Sequence, residues 1–239
     1  AALEPSSLSA EPLADGWTDA LTGIDAEAAS TEGSWKNRGN GILYEGESDS
    51  FPKLELADTE LGTSYEVRFA FERLSEDGVV LILPAGGERY LSVHFGAFGK
   101  YSGIAGIDGQ TMRNPENVAR REIDLEIGRR YRSEIAVRSE AGKMDVAIKL
   151  DGQPMVKWAG GLARLPNGAV WRPRNKKLIN LGARNSAYFA AVQYRDLSKI
   201  DPAQARAAAI AEANAKLGEA DSELETQLQS AKFEEDLGA

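Results

Sequence analysis

The sequence predicts an all-β protein: a two-sheet antiparallel sandwich followed by a C-terminal α-helical extension. Short runs in which apolar and polar residues alternate recur through residues 15–199, with glycine, proline and Asx turn signals between them. Three of these runs follow one another in residues 63–95, the most strongly patterned stretch of the chain. Helical periodicity is almost absent before residue 200 and sets in after it.

Residues 1–14 (AALEPSSLSAEPLA) carry no period and read as a flexible tail, and Trp17 opens the folded part. Dense turn residues then punctuate short strands expected at 33–37, 42–45 and 51–56. In the first central run Tyr65, Val67, Phe69 and Phe71 share one face, while Ser64, Glu66, Arg68 and Glu72 share the other. The second run, 79–83, is apolar on both faces and calls for cover on both sides. The third sets Leu91, Val93 and Phe95 against Tyr90, Ser92 and His94.

Residues 96–118 are a glycine-rich loop with a short strand expected at 101–107. Strands at 122–127 and 131–138 follow. Those at 144–150 and 153–158 are joined by Asp151-Gly152, a two-residue hairpin signal, and Pro154 marks the second as an edge strand. A loop over 160–177 carries the basic cluster Arg172, Arg174, Lys176 and Lys177, open to an acidic polysaccharide, a partner or the acidic tail. The last strands are expected at 178–184 and 187–197.

Composition narrows the class of function. The chain of 239 residues is long enough for one sizeable sandwich domain. A formal net charge of -9 argues against nucleic acid and against electrostatic docking on anionic lipid. No apolar run reaches membrane-spanning length, so no transmembrane segment is expected. Cysteine is absent, which removes disulfides, thiolate nucleophiles and cysteine zinc sites. The Ala-Ala-Leu start is what trimming after a small-residue cleavage site leaves, as would a shortened chain. It sets the expectation of an exported protein, periplasmic or extracellular.

Residues 200–239 form an acidic segment. Asp201-Pro202 with Gln204 is a helix start, and Ile210, Leu217 and Leu224 recur every seven residues with Leu228 beside them. The stripe is too thin for a self-sufficient coiled coil, so a helix lying on its own sandwich or on a partner subunit is expected. A sandwich with such a helix also suits an accessory subunit of a larger complex.

The block SYEVRFAF, GVVLILP and RYLSVHF, then SGIAGIDG, the pair IAVR and DVAIKLDGQPMVKW, and finally LINLGARNS with FAAVQYRDL resembles the concanavalin A-like lectin/glucanase superfamily. Within it the likeness is to laminin-G-like domains and the 3-keto-disaccharide hydrolase family of planctomycete-type bacteria. The resemblance covers residues 17–197. It implies a jelly-roll sandwich and a binding module for glycan or a protein partner, with glycoside hydrolysis as the alternative.

Candidate site residues follow from both readings. The run Glu122-Ile123-Asp124-Leu125-Glu126 is similar to the carboxylate strand of laminarinase-type glucanases, which implies Glu122 as nucleophile, Asp124 as its helper and Glu126 as acid/base. Its arginine flanks, Arg120, Arg121, Arg129 and Arg130, favour an ordinary charged strand with Ile123, Leu125 and Ile127 inside. A ligand on the polar face of the third central run meets Tyr90 and His94, with Glu66 or Arg68 on the neighbouring strand. Phe98 and Tyr101, in the glycine-rich loop, are further ligand contacts. The tryptophans at 17, 158 and 171 are expected in core or edge packing. No cofactor is expected. Asp108 could serve a calcium ion, as in some laminin-G-like domains, although no carboxylate loop of calcium-binding spacing is present.

Overall fold

The computed structural model describes residues 16–47, 51–56, 59–168 and 170–199. The chain divides into two units, Ala1–Ser198 and Lys199–Ala239. The expected tail at 1–14 and the expected helix with Ile210, Leu217, Leu224 and Leu228 lie outside the described residues.

Strands make up most of the regular structure among the described residues. In order these are β1 (Thr18–Asp19), β2 (Ser30–Glu32), β3 (Trp35–Arg38), β4 (Gly41–Glu47), β5 (Lys53–Glu55), β6 (Ser64–Arg73), β7 (Val79–Gly86), β8 (Arg89–Ala97), β9 (Tyr101–Ala105), β10 (Arg120–Glu122), β11 (Arg130–Glu140), β12 (Lys143–Leu150), β13 (Gln153–Gly161), β14 (Asn180–Ala183) and β15 (Asn185–Asp196). Among the described residues a short α-helix, α1 (Ala26–Ala29), precedes β2 and is N-capped by the Asp25 carboxylate, which accepts the Glu27 and Ala28 N–H groups.

The strands form two sheets. One runs β13-β12-β11-β6-β15-β4-β3 with β1 added against β15, and the other runs β10-β9-β8-β7-β14-β5-β2. They are called here the β6 sheet and the β8 sheet. Every pairing is antiparallel. The expected two-sheet antiparallel sandwich is thus present. Pro154 does lie on an edge strand, because β13 ends its sheet. Ala141-Gly142 and Asp151-Gly152 turn their hairpins with positive φ at both residues (50° and 76°, 47° and 76°), the geometry that two-residue hairpin turns require.

Alternation decides what each face buries. Tyr65, Val67, Phe69 and Phe71 from β6 meet Leu81 and Leu83 from β7 and Leu91, Val93 and Phe95 from β8 in one core. Phe95 packs 5.1 Å from Phe69 and 5.0 Å from Phe71, ring centre to ring centre. The buried Tyr65 hydroxyl donates across the core to the Pro84 carbonyl of the other sheet, and burial pushes its pKa far up.

One expectation is corrected here. β6 does not neighbour β8: it pairs with β11 and β15, while β8 pairs with β7 and β9. The apolar faces of β6 and of β8 both have to be buried, and facing each other across the core does so. Their polar faces therefore point away from each other, and Glu66 and Arg68 are separated from Tyr90 and His94 by the whole sandwich. Arg68 instead lies over the Trp17 ring at 4.2 Å, and Glu66 bonds Arg138 at 2.8 Å and also Arg195.

Removing a large side chain from the inter-sheet core leaves a cavity that rigid strands fill poorly. Phe71→Ala is expected to lower the free energy of unfolding by about 3–5 kcal/mol, read from the midpoint of chemical denaturation at unchanged slope.

A candidate binding cleft on the outer face of the β8 sheet

β7 is apolar on both faces, and the chain supplies the second cover itself. Val80 and Ile82 of β7, Tyr90 of β8 and Trp171 form a small second core outside the sandwich, with Phe51 against it. Trp171 belongs to a segment that leaves β13 through the 3-10 turn Leu162–Arg164 and folds back over the sheet. The Tyr90 hydroxyl ties this strap down by donating to the Val170 carbonyl at 2.8 Å and the Gly168 carbonyl at 3.2 Å, as alternative or shared acceptors.

Trp171 takes a left-handed backbone angle (φ 58°), a conformation unfavourable for a bulky residue. Its ring lies where a side chain at residue 182 would be: a Cβ there would stand 2.5 Å from Trp171 Cζ3. Glycine at this position of β14 is what admits the indole. Trp171 then meets His94 edge-on at 6.0 Å and Phe51 at 5.1 Å.

Between the strap and the loops after β8 and β9 lies a cleft of about 530 Å³. Its floor is the outer face of β8: Tyr90, Ser92 and His94. At one end Arg89 Nη1 donates to the Leu165 carbonyl at 2.5 Å, and Pro166 packs so close to Gly106 that a Cβ there would meet it at 2.9 Å. Above this end Arg164 grips Asp108 through Nε (2.9 and 3.1 Å to the two carboxylate oxygens) and Nη2 (2.5 Å). The bonded guanidinium pushes the Asp108 carboxyl below its usual range.

At the other end stands Phe98, 39% exposed, at the tip of the β8–β9 hairpin with φ 52°. Asp77 Oδ1 accepts the N–H groups of Phe98 (3.0 Å) and Gly78 (2.9 Å), joining this tip to the β6–β7 turn, and Arg184 lies 3.8 Å from the same carboxylate. The buried Arg73 guanidinium braces the same wall from below, bonding the carbonyls of Glu76 (2.6 Å), Leu125 (3.0 Å) and Gly99 (3.1 Å).

His94 is buried and its Nε2 bonds the Ser92 hydroxyl at 2.9 Å. Burial pushes its pKa down to about 4, against the pull of Asp77, so the floor is uncharged at neutral pH. Burial also raises the Tyr90 pKa, against the nearby Arg172 charge.

The residues singled out from sequence fall into separate places. Tyr90, His94 and Phe98 come together as lining of the cleft. Tyr101 does not line it: its ring is covered by Arg120 at 4.0 Å and approached by Lys100 at 5.1 Å. The carboxylates Glu122, Asp124 and Glu126 do not share a strand face, because β10 stops at Glu122, and all three are exposed and outside the cleft. Glu122 pairs with Arg120 at 2.5 Å and Glu126 with Arg129 at 3.5 Å. Ile127, expected inside, is 55% exposed, since a turn rather than a strand carries it. Asp108, considered for calcium, is occupied by Arg164. In the basic cluster, Arg174 meets Glu55 at 3.0 Å, Lys177 meets Glu60 at 3.1 Å and Lys176 pairs with Glu88.

Sequence reading missed Asp77, Arg89, Arg164, Arg184 and the strap. The available signal was the two-sided apolar character of 79–83, which demands a cover without saying that it comes from Trp171.

Comparison with known proteins returns legume lectins and related sandwiches. Peanut lectin aligns with a TM-score of 0.46 at 12% identity, covering 74% of this chain and 95% of its own. The Emp46p carbohydrate recognition domain gives 0.47 at 9% identity, covering 75% and 94%. A xylan β-1,4-xylosidase from Bacillus halodurans gives 0.39 at 16% identity, over 66% of this chain and 33% of its own. The similarity extends to the two-sheet sandwich and to nothing beyond it. No family model and no curated protein matches the chain.

Two outcomes follow from the strap and the floor. Gly182→Ala is expected to lift Trp171 from β14 and cost about 1–3 kcal/mol in chemical denaturation. For His94, the unfolded chain takes up its proton near pH 6.5 and the folded protein only near 4. The stability contributed by the neutral ring is therefore complete above pH 6.5 and lost as pH falls toward 4, by about 3 kcal/mol at most. The difference in unfolding free energy between pH 7.5 and pH 4.5 should be smaller in His94→Gln than in the parent protein.

Proposed function

We propose that the protein is a non-catalytic binding module that takes a saccharide in the cleft on the outer face of the β8 sheet. The observation that carries this reading is the cleft itself. Its volume of about 530 Å³ falls among small-molecule sites, which span roughly 300–1,000 Å³. Most of its surface is aromatic or aliphatic, with polar side chains at separate points. A saccharide presents the matching combination, apolar ring faces edged with hydroxyls. The Phe98 ring, 39% exposed with Arg113 over it at 4.0 Å, offers its remaining face for stacking, and Ser92, His94, Asp77 and Arg184 offer donors and acceptors.

Hydrolysis is supported less well. A glycosidase needs one carboxyl kept protonated beside one kept ionised. The carboxylates of this cleft are Asp77 and Asp108; each faces an arginine, and Arg164 favours the ionised form of Asp108. The proposal includes an extracytoplasmic location, where polysaccharide is met, testable by fractionation of the producing cell.

A glycan array followed by calorimetric titration tests the reading. The protein is expected to retain saccharides, Phe98→Ala to weaken the best of them roughly tenfold, and Tyr101→Ala to leave it unchanged. Retention of no saccharide, or loss through Tyr101 with Phe98→Ala silent, overturns it.

A further inference from the structure

Among the described residues, the charges lining the cleft do not balance. Three arginines and two aspartates line it: Arg89, Arg164 and Arg184 against Asp77 and Asp108. Asp108 is held by Arg164 through both carboxylate oxygens, and Asp77 lies 3.8 Å from Arg184. Arg89 has no such partner: among the described residues no carboxylate pairs with it. Its neighbour in sequence, Glu88, is exposed and bonded to Lys176. Of the five N–H donors of a guanidinium, one from Arg89 goes to the Leu165 carbonyl.

The placement of this cation matters as much as its count. Arg89 is half-buried at the cleft end where Leu165, Pro166 and Gly106 come together under the Arg164–Asp108 bridge. Apolar surface around a charge raises the strength of its pairing above that in open water. Along β8 the floor from Tyr90 to His94 extends roughly 13 Å at about 3.3 Å per residue, and Arg89 lies beyond its end, so a ligand lying on the floor can reach the cation with one terminus only. A planar guanidinium with free donors is matched by a planar carboxylate, in two parallel hydrogen bonds.

From this we infer that the ligand is an acidic saccharide, a uronate-bearing oligosaccharide whose carboxylate is received by Arg89 at the closed end of the cleft. The inference rests on the saccharide-binding reading and names the ligand class of the same site.

The test compares a uronate trisaccharide with the same trisaccharide after reduction of its carboxyl groups, by calorimetric titration of the full chain. The acidic form is expected to bind at least about tenfold more tightly, with the advantage shrinking as salt is raised. Arg89→Gln is expected to erase the advantage, and Arg89→Lys to keep part of it. Thermal unfolding of both variants checks that the Leu165 contact is not needed for folding. The comparison of the two sugars on the unmodified protein stands whatever that check gives. Equal binding of the two sugars overturns the acidic class and leaves the cleft a saccharide site. A preference that survives in a folded Arg89→Gln protein overturns the assignment to Arg89. Binding of neither sugar, nor of any other on the array, overturns the saccharide site and the inference with it.

Discussion

Trp171 can lie on strand β14 only because residue 182 has no side chain, and the cleft depends on that contact. A bulky residue with φ 58° is held against its preference, at a cost on the order of 1–2 kcal/mol. Burial of the indole, its contacts with His94 and Phe51, and the Tyr90 hydroxyl bonded to the strap carbonyls offset that cost. With the strap in place, Tyr90, Ser92 and His94 change from an exposed polar stripe into a buried floor, and the outer face of β7 becomes a second small core. The depressed pKa of His94 is a consequence of the same burial.

The two outer faces of the sandwich have been put to different uses. On the β6 sheet, opposite charges from neighbouring strands pair: Glu66 with Arg138 and Arg195, Glu72 with Arg130, Glu134 with Lys149. Trp17 lies between Arg68 and Arg195, at 4.2 and 4.9 Å. Surface pairs of this kind add little stability, but they satisfy the charges of the face. The outer face of the β8 sheet is apolar along β7 and covered by loops on either side. Loops that cover a sheet incompletely make a cleft with a rigid floor and adjustable walls, the arrangement from which binding sites are commonly built.

The fold was legible because period-2 alternation is a local signal. Val67, Phe69, Leu91 and Val93 announce their buried faces without reference to any distant residue, and Asp151-Gly152 announces its turn. Which sheet each strand joins is not local. β6 and β8 lie close in sequence and look alike, yet they belong to different sheets, because each satisfies the other's apolar face from across the core and not from beside it. Arg68 was misplaced for that reason. The site was legible only in its floor: Tyr90, His94 and Phe98 lie on or next to one strand. Its closure depends on residues 77, 108, 164, 171 and 184, brought together by loops whose glycine, proline and polar content states only that they turn. The carboxylates at 122, 124 and 126 misled in the opposite way. Their spacing reads as one face of a strand, and the strand ends before the second of them.

The polar groups of the cleft sort by position in a way that bears on what it can distinguish. Its floor, Ser92 bonded to a neutral His94, carries no charge at neutral pH. Charge is confined to the ends, with Arg89 at the closed one and Asp77 with Arg184 at the open one. On the proposed reading, a ligand on the floor would therefore be recognised by shape and by neutral hydrogen bonds along its length, and by charge only at its termini. Neutral contacts along a length tolerate variation, because each is replaceable by water at small cost. A half-buried guanidinium without a carboxylate partner tolerates less, since whatever stands before it either supplies an anion or leaves the charge uncompensated in apolar surroundings. On that reading, discrimination would be concentrated at one end of β8. Arg89, at that end, bonds the backbone carbonyl of Leu165, on the strap that also makes the wall.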